Sequence, residues 1–325
     1  MAQFGPVWGA SGVQGFFGEK YWYQELFTKY IPGYSFKGVT FVAKTATAFI
    51  NVGNMPIFGD GITPMEKRPA CIVLGWWQFI WGVVLNAVGL SNIGIEGLSG
   101  MRLWQKMREP FMISVMAISQ SRPGRFREMK KIVSHLSKLL PELHAPVAIQ
   151  LNRSCPNVKH QSARREFVEE TLDALDLLRS LRVPVFVKLN TLTDVLDAKG
   201  IEEHPACAGL IISNTLPWAA IPRWMRILFF GSTTSPLARF GGGGLSGWPL
   251  RRRVCKWIRE AREVGIEKHI NAGGGLFGPI GAWSVYRAGA DSVSLGTIAT
   301  VRPWMLGITV KFAHWLFSRK QRRAS

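Results

Sequence analysis

The stretch Val147-Ala148-Ile149-Gln150-Leu151-Asn152-Arg153-Ser154-Cys155-Pro156-Asn157 decides the reading of this chain. It opens as an apolar run and closes on a thiol set between two amides, where a buried strand should end. The arrangement recurs. Lys188-Leu189-Asn190 follows Pro184-Val185-Phe186-Val187, and Ser213-Asn214-Thr215 follows Gly209-Leu210-Ile211-Ile212. Reactive or hydrogen-bonding groups keep falling at the C-terminal ends of apolar strands. In a closed parallel α/β sheet those ends share one mouth, and the mouth carries the site.

Working outward, further β-like runs lie at Val39–Ala43, Met112–Ala117, Lys268–Asn271 and Ser292–Leu295. Apolar stripes at helical spacing predict helices over about Pro123–Leu140, Ser162–Leu181 and Pro249–Val264, with Pro123 and Pro249 suited to helix starts. Strands alternating with helices imply βαβ units and a parallel sheet. With 325 residues, the fold class is α/β, a (β/α)8 TIM barrel forming one domain over 1–325 with a basic tail at about 312–325. Seven barrel strands are visible; the eighth is expected within Cys71–Ala87 or Ile221–Phe230.

Composition narrows the class. Hydrophobic residues make up 47%, enough for a large core and against global disorder. The 4 cysteines, Cys71, Cys155, Cys207 and Cys255, have no CxxC spacing, which argues against a metal site, an iron–sulfur site or a disulfide framework and for a reducing, cytoplasmic setting. The six histidines show no metal spacing, and His160, on the loop after Cys155, is the one of interest. The formal charge of +19 suits phosphate-bearing partners, nucleic acid or an anionic membrane; solubility and arginine-rich barrel helices explain it equally well. The cluster Arg319-Lys320-Gln321-Arg322-Arg323 reads as a helix end, with a peripheral lipid contact as the alternative. No signal peptide is expected at the N-terminus. The tryptophan-rich run Ala70–Leu90 is nearly long enough to span a bilayer. Its Gln78, Asn86, glycines and central tryptophans favour instead a buried barrel segment, with Trp76, Trp77 and Trp81 at a subunit contact or lipid-facing patch.

Two glycine clusters, at 240–247 and 271–278, contain a formal GxGxxG. The dinucleotide fingerprint needs an acidic residue at the end of the next strand, and Gly296-Thr297 stands there. Phosphate binding by the last two βα loops fits better, because glycine lets an anion approach the backbone. Lys188 ends a buried strand and is costly there without an anion or electron-rich ring; Lys44 follows Phe41-Val42-Ala43 in the same way. Cys155 is the acid/base of choice, since a thiol titrates near pH 8.5. Cys71, Cys207 and Cys255 read as core.

Taken together, these residues resemble a dihydroorotate dehydrogenase, an FMN-dependent barrel of pyrimidine synthesis, from about Gly9 to Val301. Trp8-Gly9-Ala10-Ser11-Gly12-Val13 is similar to a flavin-contacting loop. Ala43-Lys44-Thr45-Ala46-Thr47 is similar to the lysine segment, and Asn86-Ala87-Val88-Gly89-Leu90-Ser91-Asn92 to the substrate loop. Leu151–Val158 resembles the catalytic loop. The resemblance implies that Ala10, Ser11, Lys44, Thr45, Asn152, Lys188, Ser213, Gly247, Gly273, Gly274, Gly296 and Thr297 bind FMN. It implies that Lys44, Asn86, Gly89, Leu90, Asn152, Asn157, Asn214 and Thr215 bind a dihydropyrimidine. Cys155 takes the C5 proton while hydride passes to flavin N5; a cysteine there resembles the soluble class. Arg153, where an apolar residue is usual, Asn190, and the segment between Ala46 and Asn86 depart from the pattern.

A tRNA-dihydrouridine synthase is the rival, because Asn152–Pro156 also satisfies its loop and the charge suits RNA. It should carry a separate helical RNA-binding domain, for which little chain is left, so nucleic acid is not the expected partner. A dehydrogenase of another dihydropyrimidine, and a flavin- or phosphate-binding barrel without chemistry, are further alternatives. A homodimer and the electron acceptor stay open.

Overall fold

The computed structural model describes residues 2–154 and 164–324. Its twelve strands are β1 Val7–Gly9, β2 Phe41–Val42, β3 Ile72–Val73, β4 Val83–Asn86, β5 Phe111–Val115, β6 Val147–Asn152, β7 Val185–Leu189, β8 Cys207–Ile212, β9 Leu216–Pro217, β10 Gly244–Gly247, β11 His269–Gly273 and β12 Ser292–Leu295. Eight of them form a parallel sheet in the order β1-β12-β11-β8-β7-β6-β5-β2. Trp8 bridges Thr40 in parallel, with Gly9 N–H donating to Thr40 O and Thr40 N–H to Val7 O at 2.9 Å each. The sheet therefore closes on itself, and no barrel edge is left unpaired.

Alternation along each strand sorts side chains inside from outside. Trp8, Val42, Met112, Ala148, Phe186 and Ile211 pack with Phe4 in one cluster that fills the barrel floor. Trp8 stacks on His269 at 5.4 Å between ring centroids and meets Phe186 edge-on at 5.0 Å. Their chain neighbours, such as Ile113, Ile149, Leu151, Val185, Val187 and Ile212, belong to the larger core under the helices. The predicted helices form at Arg122–Leu139, Arg164–Arg179 and Leu250–Glu263. In the first of these, Ser121 accepts from Gly124 N–H at the N-cap, and Pro123 occupies the first turn. Its buried stripe is Arg125, Met129, Ile132, Leu136 and Leu139. Phe126, expected inside, is exposed.

Three expectations about the path of the chain need correction. The eighth barrel strand is Val7–Gly9; it is too short to show a periodic pattern. Cys71–Ala87 and Ile221–Phe230 supply no barrel strand. The run Ala70–Leu90 is likewise not a buried barrel segment. It folds as β3, a surface helix Trp76–Trp81 and β4. Gly82 ends that helix in the left-handed conformation, at φ 64°. Trp76 is 83% exposed. Among the described residues, no helix is long and apolar enough to cross a membrane.

β3 and β4 pair antiparallel with β10 and β9 in a second sheet, order β3-β4-β10-β9. This corrects the placement of the first glycine cluster. Gly241, Gly242 and Gly243 all have positive φ and turn the chain into β10, which runs antiparallel to β4 instead of ending a barrel strand.

Candidate active site

Continuing the inward parity of each barrel strand past its end gives Ala10 after Trp8, Lys44 after Val42, and Gln150 and Asn152 after Ala148. The same step gives Lys188 after Phe186, Ser213 after Ile211, Gly273 after Asn271 and Gly296 after Ser294. All of these line one cavity of about 1390 Å³ at the barrel mouth. The second sheet walls it with Val84, Asn86 and Ser246. Ser11, Thr45, Gly89, Leu90, Asn214, Thr215, Gly274 and Thr297 complete the predicted set that the cavity gathers. Gly247 does not line it. A Cβ there would lie 2.2 Å from Gly82 O, so its glycine serves the close crossing of β10 and β4. Cys155 and Asn157 lie outside the described residues.

A hydrogen-bonded chain crosses the mouth. Ser11 Oγ donates to Ala43 O at 2.8 Å and lies 3.2 Å from Thr45 Oγ1. Thr45 shares a 2.9 Å bond with Ser114, which also accepts from Gln150 Nε2 at 2.7 Å. Asn152 Nδ2 donates to Thr45 Oγ1 at 3.2 Å, and Asn214 Nδ2 donates to Asn152 Oδ1 at 2.8 Å. Ser114 and Gln150 are buried polar groups that the sequence reading missed. Their inward parity between Met112, Ala148 and Asn152 was the signal.

Two cations enter this polar layer. Lys44 Nζ donates to Ser91 O at 2.9 Å and sits 4.9 Å from the centre of the Phe16 ring. Burial pushes its pKa down to about 8, against a smaller opposing pull from Glu19. Lys188 pairs in register with Asn152 on the neighbouring strand. Its carbonyl accepts from Arg153 N–H at 3.1 Å and from Ser154 Oγ at 3.3 Å, so the chain leading to Cys155 leaves β6 beside Lys188.

Arg153 has a structural partner. Its Nη2 lies 3.0 Å from Glu170 Oε2, and its Nε donates to Thr171 Oγ1 at 3.0 Å. Arg125 grips the same carboxylate and also donates to Gln120 O at 2.6 Å. Burial alone would raise the Glu170 carboxyl, but the two arginines hold it below the usual range. Asn190 Nδ2 donates to Thr215 O at 2.6 Å, tying together the loops after β7 and β8. Cys71, Cys207 and Cys255 are buried thiols, and burial raises Cys207 to about 11.

The second glycine cluster forms a backbone cradle. Gly274 and Gly275 have φ of 95° and 74° and follow Gly273 along the cavity wall. At Gly296 a Cβ would come 2.9 Å from Ala10 Cβ. Such a run presents backbone dipoles to an anion that no side chain obstructs. Among the described residues, no cluster of His, Cys, Asp and Glu could hold a metal ion.

A closed parallel barrel whose mouth combines lysines, paired amides and a glycine cradle is the architecture of a barrel enzyme using a phosphate-bearing cofactor. A family model described as dihydroorotate dehydrogenase matches residues 77–308. The chain belongs to the dihydroorotate dehydrogenase family, an FMN-dependent oxidoreductase family of pyrimidine biosynthesis. It is 28% identical over 255 residues to the dihydroorotate dehydrogenase B (NAD(+)) catalytic subunit of Streptococcus pneumoniae, covering 77% of this chain and 73% of that protein. It is 31% identical over 229 residues to the Anoxybacillus flavithermus protein of the same name, covering 68% and 67%. To dihydroorotate dehydrogenase A (fumarate) of Lactiplantibacillus plantarum it is 27% identical over 223 residues, covering 67% and 68%. The fold resembles the crystal structure of DHODH from Eimeria tenella in complex with ferulenol, with a TM-score of 0.62 and 16% identity over 88% of this chain and 75% of that one. This family match decides between the two flavin barrels weighed from the sequence.

Proposed function

We propose that the chain oxidises dihydroorotate to orotate at the barrel mouth. The observation that carries this reading is the convergence of Lys44, Asn152, Lys188 and Asn214 on one cavity, in a chain of this family. The Asn152–Asn214 pair is held by its own hydrogen bond, by Thr45 and by the Thr215 N–H, so the second N–H of each side-chain amide is fixed in a direction that suits the polar edge of a planar ring. Lys44 supplies the charge for a carboxylate. Gly273, Gly274, Gly296 and Thr297 would hold the FMN phosphate, with Ala10, Ser11, Thr45 and Ser213 along the ring. FMN, when bound, supplies the acceptor for the hydride that leaves C6 of the substrate. Lys188 holds a positive charge beside that electron-rich ring. Cys155, the third residue after Asn152, removes the C5 proton as general base.

The relatives' names share dihydroorotate and differ in acceptor, NAD(+) or fumarate, so the reading covers the dihydroorotate half-reaction. The test is anaerobic addition of dihydroorotate to the purified yellow protein. Bleaching of the flavin band with release of orotate is expected. A flavin that stays oxidised would refute the reading.

A further inference from the structure

The polar chain that crosses the barrel mouth lies on the inner side of β5 and β6. The outer side of the same strand ends carries a buried ionic cluster for which the proposed reaction has no use. Arg153 follows Asn152 at the end of β6, and its side chain runs the other way, to the covering helices. Arg153 Nη2 meets Glu170 Oε2 at 3.0 Å, and its Nε donates to Thr171 Oγ1 at 3.0 Å. Its guanidinium lies 5.4 Å from the centre of the Phe167 ring. Arg125 Nε donates to both oxygens of the same carboxylate, at 3.1 and 3.0 Å. The side chains of Arg125, Arg153 and Glu170 are at most 6% exposed.

The cluster grips backbone as well as side chains. Arg125 Nη1 donates to Ser119 O at 3.1 Å and to Gln120 O at 2.6 Å, and Glu128 accepts from Ser119 N–H at 3.0 Å. These bonds hold the chain that leaves β5 on the helix Arg122–Leu139. Arg153 N–H and Ser154 Oγ both donate to Lys188 O, at 3.1 and 3.3 Å, which holds the chain that leaves β6 on β7. An ion cluster this deeply buried gives little net stability over apolar packing of the same volume, because desolvation offsets the attraction. What it adds is direction. An apolar side chain at 153 could slide against the helix, whereas a guanidinium shared by Glu170 and Thr171 sets both distance and angle. The point so fixed is one residue after Asn152 and two before Cys155.

We propose that Arg153, acting through Glu170 and Arg125, is a positioning residue for the dihydroorotate half-reaction. It anchors the end of β6 from outside the barrel and fixes the direction in which the chain leaves Asn152. Its effect on rate rests on the reading of the residues after Asn152 as the catalytic loop. Asn152 has its own ties to Thr45 and Asn214, so loss of the anchor touches flavin reduction more than substrate binding.

The test uses Arg153→Leu, which leaves the Arg125–Glu170 pair in place and strands no charge, in the FMN-loaded protein. Hydrogen exchange needs no substrate. The amide at position 153, which donates to Lys188 O in wild type, should exchange about tenfold faster or more, with Met112 and Phe186 on the barrel floor unchanged. In stopped-flow reduction by dihydroorotate the limiting rate should fall about tenfold. The dissociation constant for dihydroorotate should move by less than about threefold. Arg153→Lys, which keeps one ion pair without the fork, should reduce its flavin at a rate between leucine variant and wild type. Unchanged exchange at position 153, or a leucine variant as fast as wild type, would overturn the proposal. So would faster exchange spread equally over the barrel floor, since that marks a cluster that only stabilises. A wild-type flavin that dihydroorotate does not reduce would instead refute the proposed function, and exchange at position 153 would then decide the anchor alone.

Discussion

Lys44 is the residue whose surroundings translate most directly into behaviour. Its folded pKa of about 8 lies below the ordinary lysine value of about 10.4. The folded state therefore binds fewer protons than the unfolded chain between those values. This one group makes stability rise with pH across that window, and its cost is fully present below pH about 8. Ligand binding has the opposite slope. A carboxylate favours the charged ammonium, so orotate affinity should fall as pH rises through about 8, by up to about tenfold per unit. Titration of the flavin spectrum with orotate across pH measures this, and Lys44→Met should bind weakly with a flat profile. Cys155 gives a second prediction at this scale. Cys155→Ser should reduce its flavin about a hundredfold or more slowly near neutral pH, since a hydroxyl is a poorer base than a thiol. Stopped-flow reduction by dihydroorotate reads it, and unchanged rates would remove Cys155 from the mechanism.

Among the elements, the connection from β6 to the helix Arg164–Arg179 departs most from an apolar barrel. An arginine two residues before the proposed base looked anomalous in the sequence because its partner Glu170, and Arg125, which shares that carboxylate, lie on two other elements. No spacing rule brings residues 125, 153 and 170 together; the packing of β6 and two helices does. Removing the shared carboxylate leaves two buried cations. Glu170→Gln should therefore cost about 3–5 kcal/mol in chemical denaturation. Because the Glu170 pKa is held down, wild type should also lose stability as pH falls below the unfolded carboxyl value of about 4.3, and the variant should lose less there. The crossing of β10 over β4 is a second fixed point. Gly247→Ala puts a Cβ against Gly82 O at a backbone φ of 124°, and about 1–3 kcal/mol of destabilisation is expected from thermal melts.

Across the whole molecule, most of the barrel was legible because its strands are apolar on both faces and its helices carry long stripes. Met112 and Phe186 on the floor, and Lys44, Asn152 and Lys188 at the mouth, follow from period-two alternation on strands whose positions the hydrophobic runs reveal. The rest was hidden for physical reasons. β1 has three residues, and its pairing is decided by barrel closure. The tryptophan-rich run reads as buried by composition alone, yet a helix of six residues ending at a left-handed glycine turns the Trp76 and Trp77 rings outward and keeps Trp81 against the core. Gly247 and Gly274 look alike in sequence, and the antiparallel sheet separates their roles. The floor should be stability-determining: Phe186→Ala is expected to cost about 3–5 kcal/mol without changing the dihydroorotate specificity of flavin reduction. The position of orotate in a crystal of the FMN-bound protein tests the central claim most directly. Orotate should lie at the barrel mouth with its carboxylate toward Lys44 and its ring edges on Asn152 and Asn214. Density for orotate anywhere away from these three side chains would contradict the account.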